Sequence, residues 1–449
     1  MLEPSLILLS LLSVALANPD YEAGVAALKA KDNAAAVQAF GRCVAAEPAG
    51  SEMATSCRWE LGWAHWNEGA WAKVVAQWEQ VEKVDPQRKG LVDYLSQARD
   101  NVALQALLEK GRAKAAKTYT STAPKGAKVR LRAVGDLMIG SAFPDGALPP
   151  DDAVGTFADV GDWLRDADLT FGNLEGPLCD EGVSDKCDPN KPPGACYAFR
   201  SPTRYAPYYK AAGFDVMSTA NNHAADFGPA CRATTEAALD AQGIAHSGRP
   251  GDIASLQSNG LKVAVIGFHT NRNSHFVNDH EEARALVRAL AQDHDLVVVS
   301  FHGGAEGSKA LHVPMGPELF YNEDRGDLRA FTHAVIDAGA DLVIGHGPHV
   351  LRGMEIYKDR LIAYSLGNFA TYGRFSLGGN LGIGAVLDVT LDRDGRFVAG
   401  KVLPTKQIDG GRPVKDPANQ ALDLVRTLSE TDFPNTGVRV ALDGSLGRR

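Results

Sequence analysis

The sequence predicts an α/β protein, a double β-sheet sandwich flanked by helices and preceded by an all-α region. Three observations predict it. From Val129 onward, short apolar runs alternate with helical segments until about Gly379, after which strands follow one another directly. Before that point, Tyr21 to about Tyr119 is rich in Ala, Leu, Gln, Glu and Lys, with helical periodicity and few strand signals. Acids, amides and histidines stand directly after the apolar runs, as chemistry mounted at strand ends does in layered α/β folds. At 449 residues the chain exceeds one typical core, so two domains are expected.

Residues 1–17 read as a signal peptide. Leu6 to Leu16 is apolar and of the right length, Ala15-Leu16-Ala17 fits a small-x-small cleavage site, and Asn18-Pro19-Asp20 breaks the run. The segment before it carries Glu3 and no Lys or Arg, a departure from the usual pattern. The stretch is too short to span a bilayer, and nothing later is long and apolar enough. No cysteine follows the cleavage site to carry a lipid. The expected location is periplasmic or secreted, with no membrane span. A net charge of -9, and no Lys/Arg block interleaved with aromatics, argue against a nucleic-acid partner.

Residues 20–117 are expected to form a helical domain with an internal repeat. Gly24, Ala36, Phe40 and Pro48 stand at the same offsets as Gly62, Val74, Trp78 and Pro86, a tetratricopeptide-like spacing. Small residues let two antiparallel helices approach in such a unit, and the proline ends the second. Polar residues from Ala49 to Ser56 lengthen the period, and a Cys43–Cys57 bridge would staple that insertion. Leu91 to Ala115 reads as a capping helix or pair. Trp59, Trp63, Trp66, Trp71 and Trp78 read as packing between repeats rather than a ligand groove. A module of this kind docks a protein or polymer, so a protein partner is expected here. Residues 118–128 are rich in Ser, Thr, Pro, Gly and Lys and read as a linker.

In the remaining body, residues 129–449, strands are expected at Val129–Val134, Leu169–Gly172, Val216–Ala220, Val263–Phe268, Leu296–Phe301, Leu342–Ile344, Leu361–Tyr364, Ala385–Leu391 and Val398–Leu403. Helices are expected at Asp152–Arg165, Arg204–Ala212, Ala230–Gln242, Glu281–Gln292, Leu328–Ala338 and Ala418–Leu428. Cys179, Cys187 and Cys196 crowd a Pro/Gly-rich loop, and Cys231 lies beyond Asn222-His223. These four allow three disulfide pairings, and their spacing matches no common zinc knuckle.

Several strand ends carry metal-ligand chemistry. Gly135-Asp136 alone reads as a turn or cap. Asn221-Asn222-His223 says more, because amides and an imidazole at the end of a buried strand are costly without a partner. His346 and His349 are three apart on a Gly/Pro loop that can turn both rings to one point, and His302 ends a run of β-favouring residues. Taken jointly they read as a metal site. His65, His246, His294, His312 and His333 have no such partners in the sequence and read as surface or packing residues.

Six motifs then appear in a known order: Gly135-Asp136-Leu-Met, Asn173-Leu-Glu-Gly-Pro, Asn221-Asn-His-Ala-Ala-Asp-Phe-Gly228, His302-Gly-Gly-Ala-Glu306, Gly345-His-Gly-Pro-His-Val350 and Tyr364-Ser-Leu-Gly-Asn-Phe369. Together they resemble the capsule-synthesis CapA family of poly-γ-glutamate biosynthesis, over roughly Val129 to Leu403. That family is similar in fold to calcineurin-like metallophosphoesterases. The resemblance implies that Asp136, Glu175, Asn222, His302, His346 and His349 are metal ligands, with Glu175 as bridging carboxylate. It gives His223 the contact with the leaving group. Arg200, Glu306 and Asn368 are assigned to the substrate. Three departures stand out: no histidine follows Asp136 at a two-residue step, Glu replaces the bridging Asp, and the last histidines are three rather than two apart.

The expected function is that of an exported metal-dependent hydrolase in capsule or envelope polymer metabolism. One or two divalent ions (manganese, iron or zinc) would activate water against a phosphoester or an amide or ester link. The substrate would be an anionic envelope polymer, a small phosphoester or a peptide. The alternative is a non-catalytic accessory that binds an anionic polymer or a synthase during capsule assembly or export.

Overall fold

The computed structural model describes residues 18–113, 119–144, 146–184, 186–187 and 197–449. The expected signal peptide, Thr118 and Cys196 lie outside the described residues. The chain divides into two compact units, one up to Val102 and one from Ala103.

The first unit is helical: α1 (Pro19–Lys29), α2 (Asn33–Ala46), α3 (Glu52–Asn67), α4 (Trp71–Val84) and the first half of α5 (Leu91–Arg112). Side chains of Asn18, Asp32 and Ser51 cap α1, α2 and α3 by accepting from free N–H groups of the first turn. Pro48 and Pro86 stand just past α2 and α4, where they stop those helices. A Cβ on Gly24 would lie 2.6 Å from the Phe40 ring, and one on Gly62 would collide with Trp78. The repeated glycine and aromatic therefore do one job twice, letting neighbouring helices close on a ring. Trp78 is wholly buried, and half-buried Trp59, Trp63, Trp66 and Trp71 pack around it, as the packing reading of the tryptophans expects. Cys43 and Cys57 form the bridge expected between α2 and α3. Leu91–Arg112 is one helix rather than a pair.

The second unit is a mixed α/β layer structure. Its first strands are β1 (Lys128–Met138), β2 (Leu169–Leu174), β3 (Val216–Ser218), β4 (Ala245–Ser247), β5 (Ala254–Ser258), β6 (Leu261–His269), β7 (His275–Phe276) and β8 (Leu296–His302). A two-residue hairpin, β9 (Leu319–Phe320) and β10 (Glu323–Asp324), precedes β11 (Leu342–His346), β12 (Met354–Tyr357), β13 (Arg360–Ala363) and β14 (Asn368–Thr371). The last are β15 (Ile383–Asp392), β16 (Phe397–Ile408), β17 (Arg412–Lys415), β18 (Arg439–Val440) and β19 (Ser445–Gly447). Helices α6 (Gly161–Arg165), α7 (Ala206–Ala212), α8 (Gly228–Asp240), α9 (His280–Leu290), α10 (Leu328–Ala338) and α11 (Gln420–Asp432) lie between them.

One sheet runs β18-β19-β16-β15-β1-β2-β3-β4, with β14 on β1 and β17 on β16; the other runs β12-β13-β11-β8-β6-β5, with β7 on β6. Alternation along the strands sends Leu131, Ala133, Phe171 and Val389 of the first sheet against Val265, Val298, Ile344 and Ala363 of the second, in one dry core. The opposite face of the second sheet (Ile266, Val299, Val343) packs on α9 and α10 and on Leu108 of α5. The opposite face of the first packs Val134 and Met217 on α6, α7 and α8. This is the expected sandwich.

Two local differences matter for the site. The expected helix at Asp152–Arg165 is helical only from Gly161, because Asp152 and Ala153 take positive φ (53° and 65°) and turns fill the gap. The expected strand Val129–Val134 continues through Asp136 as β1. It leaves its antiparallel partner β15 after Val134 and takes β14 as a parallel partner from Asp136 onward. Gly135 sits at that switch, where a Cβ would strike the Gly367 carbonyl.

Gly345, one residue before His346, is tightly enclosed in the same way: a Cβ there would collide with the Tyr364 carbonyl and the Phe301 ring. Gly345→Ala is expected to cost about 1–3 kcal/mol of stability through overpacking. Equilibrium urea unfolding measures it, and an unchanged midpoint would show that β11 has room to shift.

Candidate metal centre

Register places the chemistry. Parallel neighbours β6, β8 and β11 bring His269, His302 and His346 into one row across the second sheet. In the first sheet, Asp136 is the register partner of Asn173 on β2 and of Asn368 on β14. Glu175 follows β2 directly. All seven side chains are buried, and the two rows meet at the carboxyl edge of the sandwich.

The carboxylates are the meeting point. Asp136 Oδ2 lies 2.9 Å from His349 Nδ1, and Oδ1 lies 3.5 Å from His346 Nδ1. Glu175 Oε1 lies 3.5 Å from His302 Nε2, 3.7 Å from His349 Nε2 and 3.9 Å from His223 Nε2. Asp136, Glu175 and His302 each offer a ligand atom within 4.8 Å of the others. His349 holds the cluster from the turn after β11, at φ 60°, a left-handed conformation uncommon outside glycine.

Most of these atoms have no hydrogen-bond partner. Both oxygens of Glu175, both ring nitrogens of His302 and of His346, and the amide oxygens of Asn222 and Asn368 are buried and unpaired. Buried polar groups are nearly always paired, and each one left alone costs roughly 1–3 kcal/mol. Carboxylate, amide oxygen and imidazole are together a donor set that a divalent cation would satisfy.

The electrostatics carry the same signature. Burial, with the Asp136 and Glu306 charges, pushes the Glu175 carboxyl well above the usual range. Burial alone would raise Asp136 too, but the His346 and His349 rings hold it well below. Burial would lower His349, yet Glu175 and Asp136 push it up to about 10. Burial drives His302 well below the ordinary value. Glu175 and His349 are both shifted toward their protonated forms, the direction in which a positive charge at this cluster is favoured.

His223 stands beside the cluster on the loop after β3. Its Nδ1 pairs with Asp226 Oδ2 at 2.7 Å, and Asp226 is held in turn by Phe199 N and by Lys186 Nζ, each at 2.8 Å. The pair fixes the ring so that Nε2 faces Glu175. Burial lowers the His223 pKa, while Asp226 opposes that by favouring the charged ring. Asn221 and Asn222 divide their work. Asn221 Nδ2 donates to the Leu174 carbonyl at 2.9 Å and its Oδ1 accepts from His223 N at 3.0 Å, which ties the loop down and leaves the Asn222 oxygen unpaired.

Residues 130–372 match the family described as bacterial capsule synthesis protein PGA_cap. The chain belongs to this family. The matched span contains every residue of the cluster and leaves out the helical unit. Capsule biosynthesis protein CapA of Bacillus anthracis is 31% identical over 267 residues, covering 54% of this chain and 59% of the relative. PGA biosynthesis protein CapA of Bacillus subtilis is 28% identical over 254 residues, covering 53% and 61%. A probable polyglutamine synthesis accessory protein of Mycobacterium tuberculosis is 28% identical over 180 residues, covering 34% and 44%. The chain spans about three fifths of the length of the two CapA relatives it matches.

Of the residues assigned from sequence, Asp136, Glu175, His302, His346, His349 and His223 are brought together. Asn222 presents a free buried oxygen on the same loop as His223. Glu306 reaches His349 Nε2 at 3.8 Å, but its other oxygen is held at 2.8 Å by Arg325. Asn368 donates to the Leu381 carbonyl and keeps its own oxygen free beside Asp136 in register. Arg200 is engaged elsewhere, donating to the Gly182 carbonyl and lying over the Phe227 ring. Sequence reasoning missed Asn173, which donates to Asp136 Oδ1 at 2.8 Å, and it missed Asp226, Arg325 and His269. His269 ends an apolar run by the very rule that found His302, so its signal was available. Replacing Asp226 by Asn removes the charge that favours protonated His223, so the ring is expected to titrate at lower pH. An imidazole NMR titration that finds no shift would break the assigned pair.

Proposed function

We propose that this protein is an exported metal-dependent hydrolase of the metallophosphoesterase-like class, acting in the metabolism of a capsule or envelope polymer. The observation that carries the reading is the convergence of unpaired, buried carboxylate, amide and imidazole atoms at one edge of the sandwich. Asp136, Glu175, Asn222, His302, His346 and His349 would hold one or two divalent ions, with manganese, iron or zinc suited to mixed O and N ligands. Bound there, the metal would supply Lewis-acid activation of water and of the scissile group.

The chain's own residues do the rest. Asp226 keeps one tautomer of His223, whose Nε2 is then placed to take or give a proton at the leaving atom. The sandwich closes the cluster from bulk water, which strengthens each charge interaction within it. The names of the Bacillus relatives support a capsule or poly-γ-glutamate polymer as the setting. The bridges Cys43–Cys57 and Cys179–Cys231 support an oxidising, periplasmic or secreted location. Among the described residues no helix is long and apolar enough to cross a membrane. The helical unit, with its repeated glycine–aromatic contacts, is the tetratricopeptide-like module in this reading, and it docks a protein or polymer partner.

The second reading, a non-catalytic accessory, is favoured by one observation: the Mycobacterium tuberculosis relative carries "accessory" in its name. Elemental analysis and turnover separate the two. His302→Ala and His349→Ala are expected to lose metal. His223→Ala is expected to keep it while hydrolysis falls by about two to four orders of magnitude. Wild-type protein that takes up no divalent ion after reconstitution would leave the accessory reading standing.

Metal uptake is also expected to release protons. His349 is pushed up to about 10, so its ring holds a proton near neutral pH that a cation must displace, and burial shifts the Glu175 carboxyl in the same direction. Affinity should therefore rise with pH across the neutral range. Calorimetry in buffers of different ionisation enthalpy measures the release, and metal binding without it would contradict this charge arrangement.

A further inference from the structure

The carboxylate–histidine cluster does not use every unpaired polar group at this edge. Arg325 is 3% exposed, and its Nη1 lies 2.8 Å from Glu306 Oε1. Nε and Nη2 of the same side chain are buried and have no hydrogen-bond partner. Glu323 also approaches Nη1, at 3.9 Å. Nε and Nη2 form one edge of the guanidinium fork, the pair of donors that grips a carboxylate or phosphate through parallel N–H···O bonds. The main chain holds Arg325 in place: its N–H donates to the Glu318 carbonyl, and its carbonyl accepts from Gly304 N, two residues past His302.

A second unpaired donor comes from the neighbouring strand end: a Cβ on Gly303 would lie 3.0 Å from the Arg325 carbonyl and 3.3 Å from Cγ2 of Thr270, the residue after His269. His269 is 5% exposed, and Asn271 N donates to its Nδ1 at 3.1 Å. That bond puts the lone pair on Nδ1 and the proton of the neutral ring on Nε2, which is buried without a partner. A metal-bound imidazole carries its proton on the nitrogen that faces away from the ion, so this ring is a donor and not a further ligand. Its ring centroid lies 5.5 Å from that of His302, its register partner. Of the charges around His269, that of Arg325 does most, after burial, to keep the ring neutral. Glu306 links Arg325 to the cluster, with one oxygen on Arg325 and the other 3.8 Å from His349.

We propose that Arg325 and His269 form an oxyanion-binding subsite next to the metal centre, which takes a carboxylate or phosphate group of the substrate. Glu306, assigned from sequence to the substrate, is then a positioning residue that holds Nη1 and turns the free edge of the fork outward from itself. The subsite deepens the hydrolase reading and rests on it for the word substrate. Anion binding itself requires no turnover. Three N–H donors closed to bulk water recognise a small terminal oxyanion rather than an extended surface.

The test is equilibrium binding of two probes, inorganic phosphate and glutarate, to the full-length reconstituted protein, with metal content measured on each sample. Arg325→Gln is expected to weaken one or both probes at least tenfold at unchanged metal content, and Arg325→Lys to recover part of the loss. His269→Ala removes a donor without stranding the Glu306 charge, so it carries the test if Arg325→Gln does not fold; a several-fold loss is expected. Weakening confined to phosphate identifies a phosphoester group, and weakening confined to glutarate a polymer carboxylate; either supports the subsite. Folded, metal-loaded variants that bind both probes like wild type would overturn it, as would a wild type that binds neither. Failure to hydrolyse any substrate, with Arg325-dependent anion binding intact, would remove the hydrolase reading and leave the subsite.

Discussion

Two carboxylates, Asp136 and Glu175, are buried completely at the edge where the two sheets meet, and their burial is the constraint that the surroundings answer. Desolvating an ionised carboxylate costs several kcal/mol unless charge and hydrogen bonds compensate it. For Asp136 the protein supplies part of that compensation, from Asn173 and His349. For Glu175 it supplies no hydrogen bond, although the His302, His349 and His223 rings lie within 4 Å. An apolar core lies between the two sheets. The imbalance is local, and perturbed buried carboxylates of this kind cluster at functional sites.

The backbone around this pair is close-packed for a reason that can be traced to small residues. Gly135, Gly172 and Gly345 sit where strand backbones and core side chains come too close for a Cβ. Their absence of side chains lets β1 approach the Leu366–Gly367 backbone ahead of β14, and β11 approach the Tyr364 carbonyl past β13 and the Phe301 ring. Positive φ at Gly304, Gly347 and His349 then turns the chain sharply just past the strand ends. Asp136, His302 and His346 therefore rest on regular, buried strands, Glu175 directly follows one, and His349 and the His223 loop are supplied by turns.

Much of this was legible in the sequence, and the failures have physical causes. Leu328–Ala338 was expected and is found residue for residue as α10, because Asp327 caps it, apolar residues recur at helical spacing and Gly339 ends it. Strand ends carrying Asp, Asn and His were readable because a buried polar residue after an apolar run is rarely idle. Asn368–Thr371 was not readable as a strand. It is short, and its pairing with β1 depends on a partner switch at Gly135 that no local propensity encodes. Sequence alone also could not separate Asn221, which ties its loop to Leu174, from Asn222, whose oxygen is free. Arg325 lies in a run of charges, Glu323-Asp324-Arg325, that reads as a solvated turn. Only tertiary contact with Glu306 reveals that the arginine turns inward while Glu323 stays exposed.

The disulfide between Cys179 and Cys231 connects site geometry to chemistry of the compartment. Cys179 stands shortly after Glu175, and Cys231 stands in α8 shortly after Asp226, so the bridge closes the segment that links one side of the cluster to the His223–Asp226 pair. Around it Phe227, Ala198 and Phe143 form a small separate core, with Cys187, itself disulfide-bonded, packed alongside. A satellite core of this size buries too little apolar surface to order a loop unaided, and a covalent tie that restricts the unfolded chain adds about 2–4 kcal/mol. Lys186, on the same loop, reaches Asp226 only when that loop is in place. Orientation of His223 thus depends on Asp226, whose surroundings depend on a loop held by an oxidised bridge. The Cys179–Cys231 bridge is in this sense part of the site's construction.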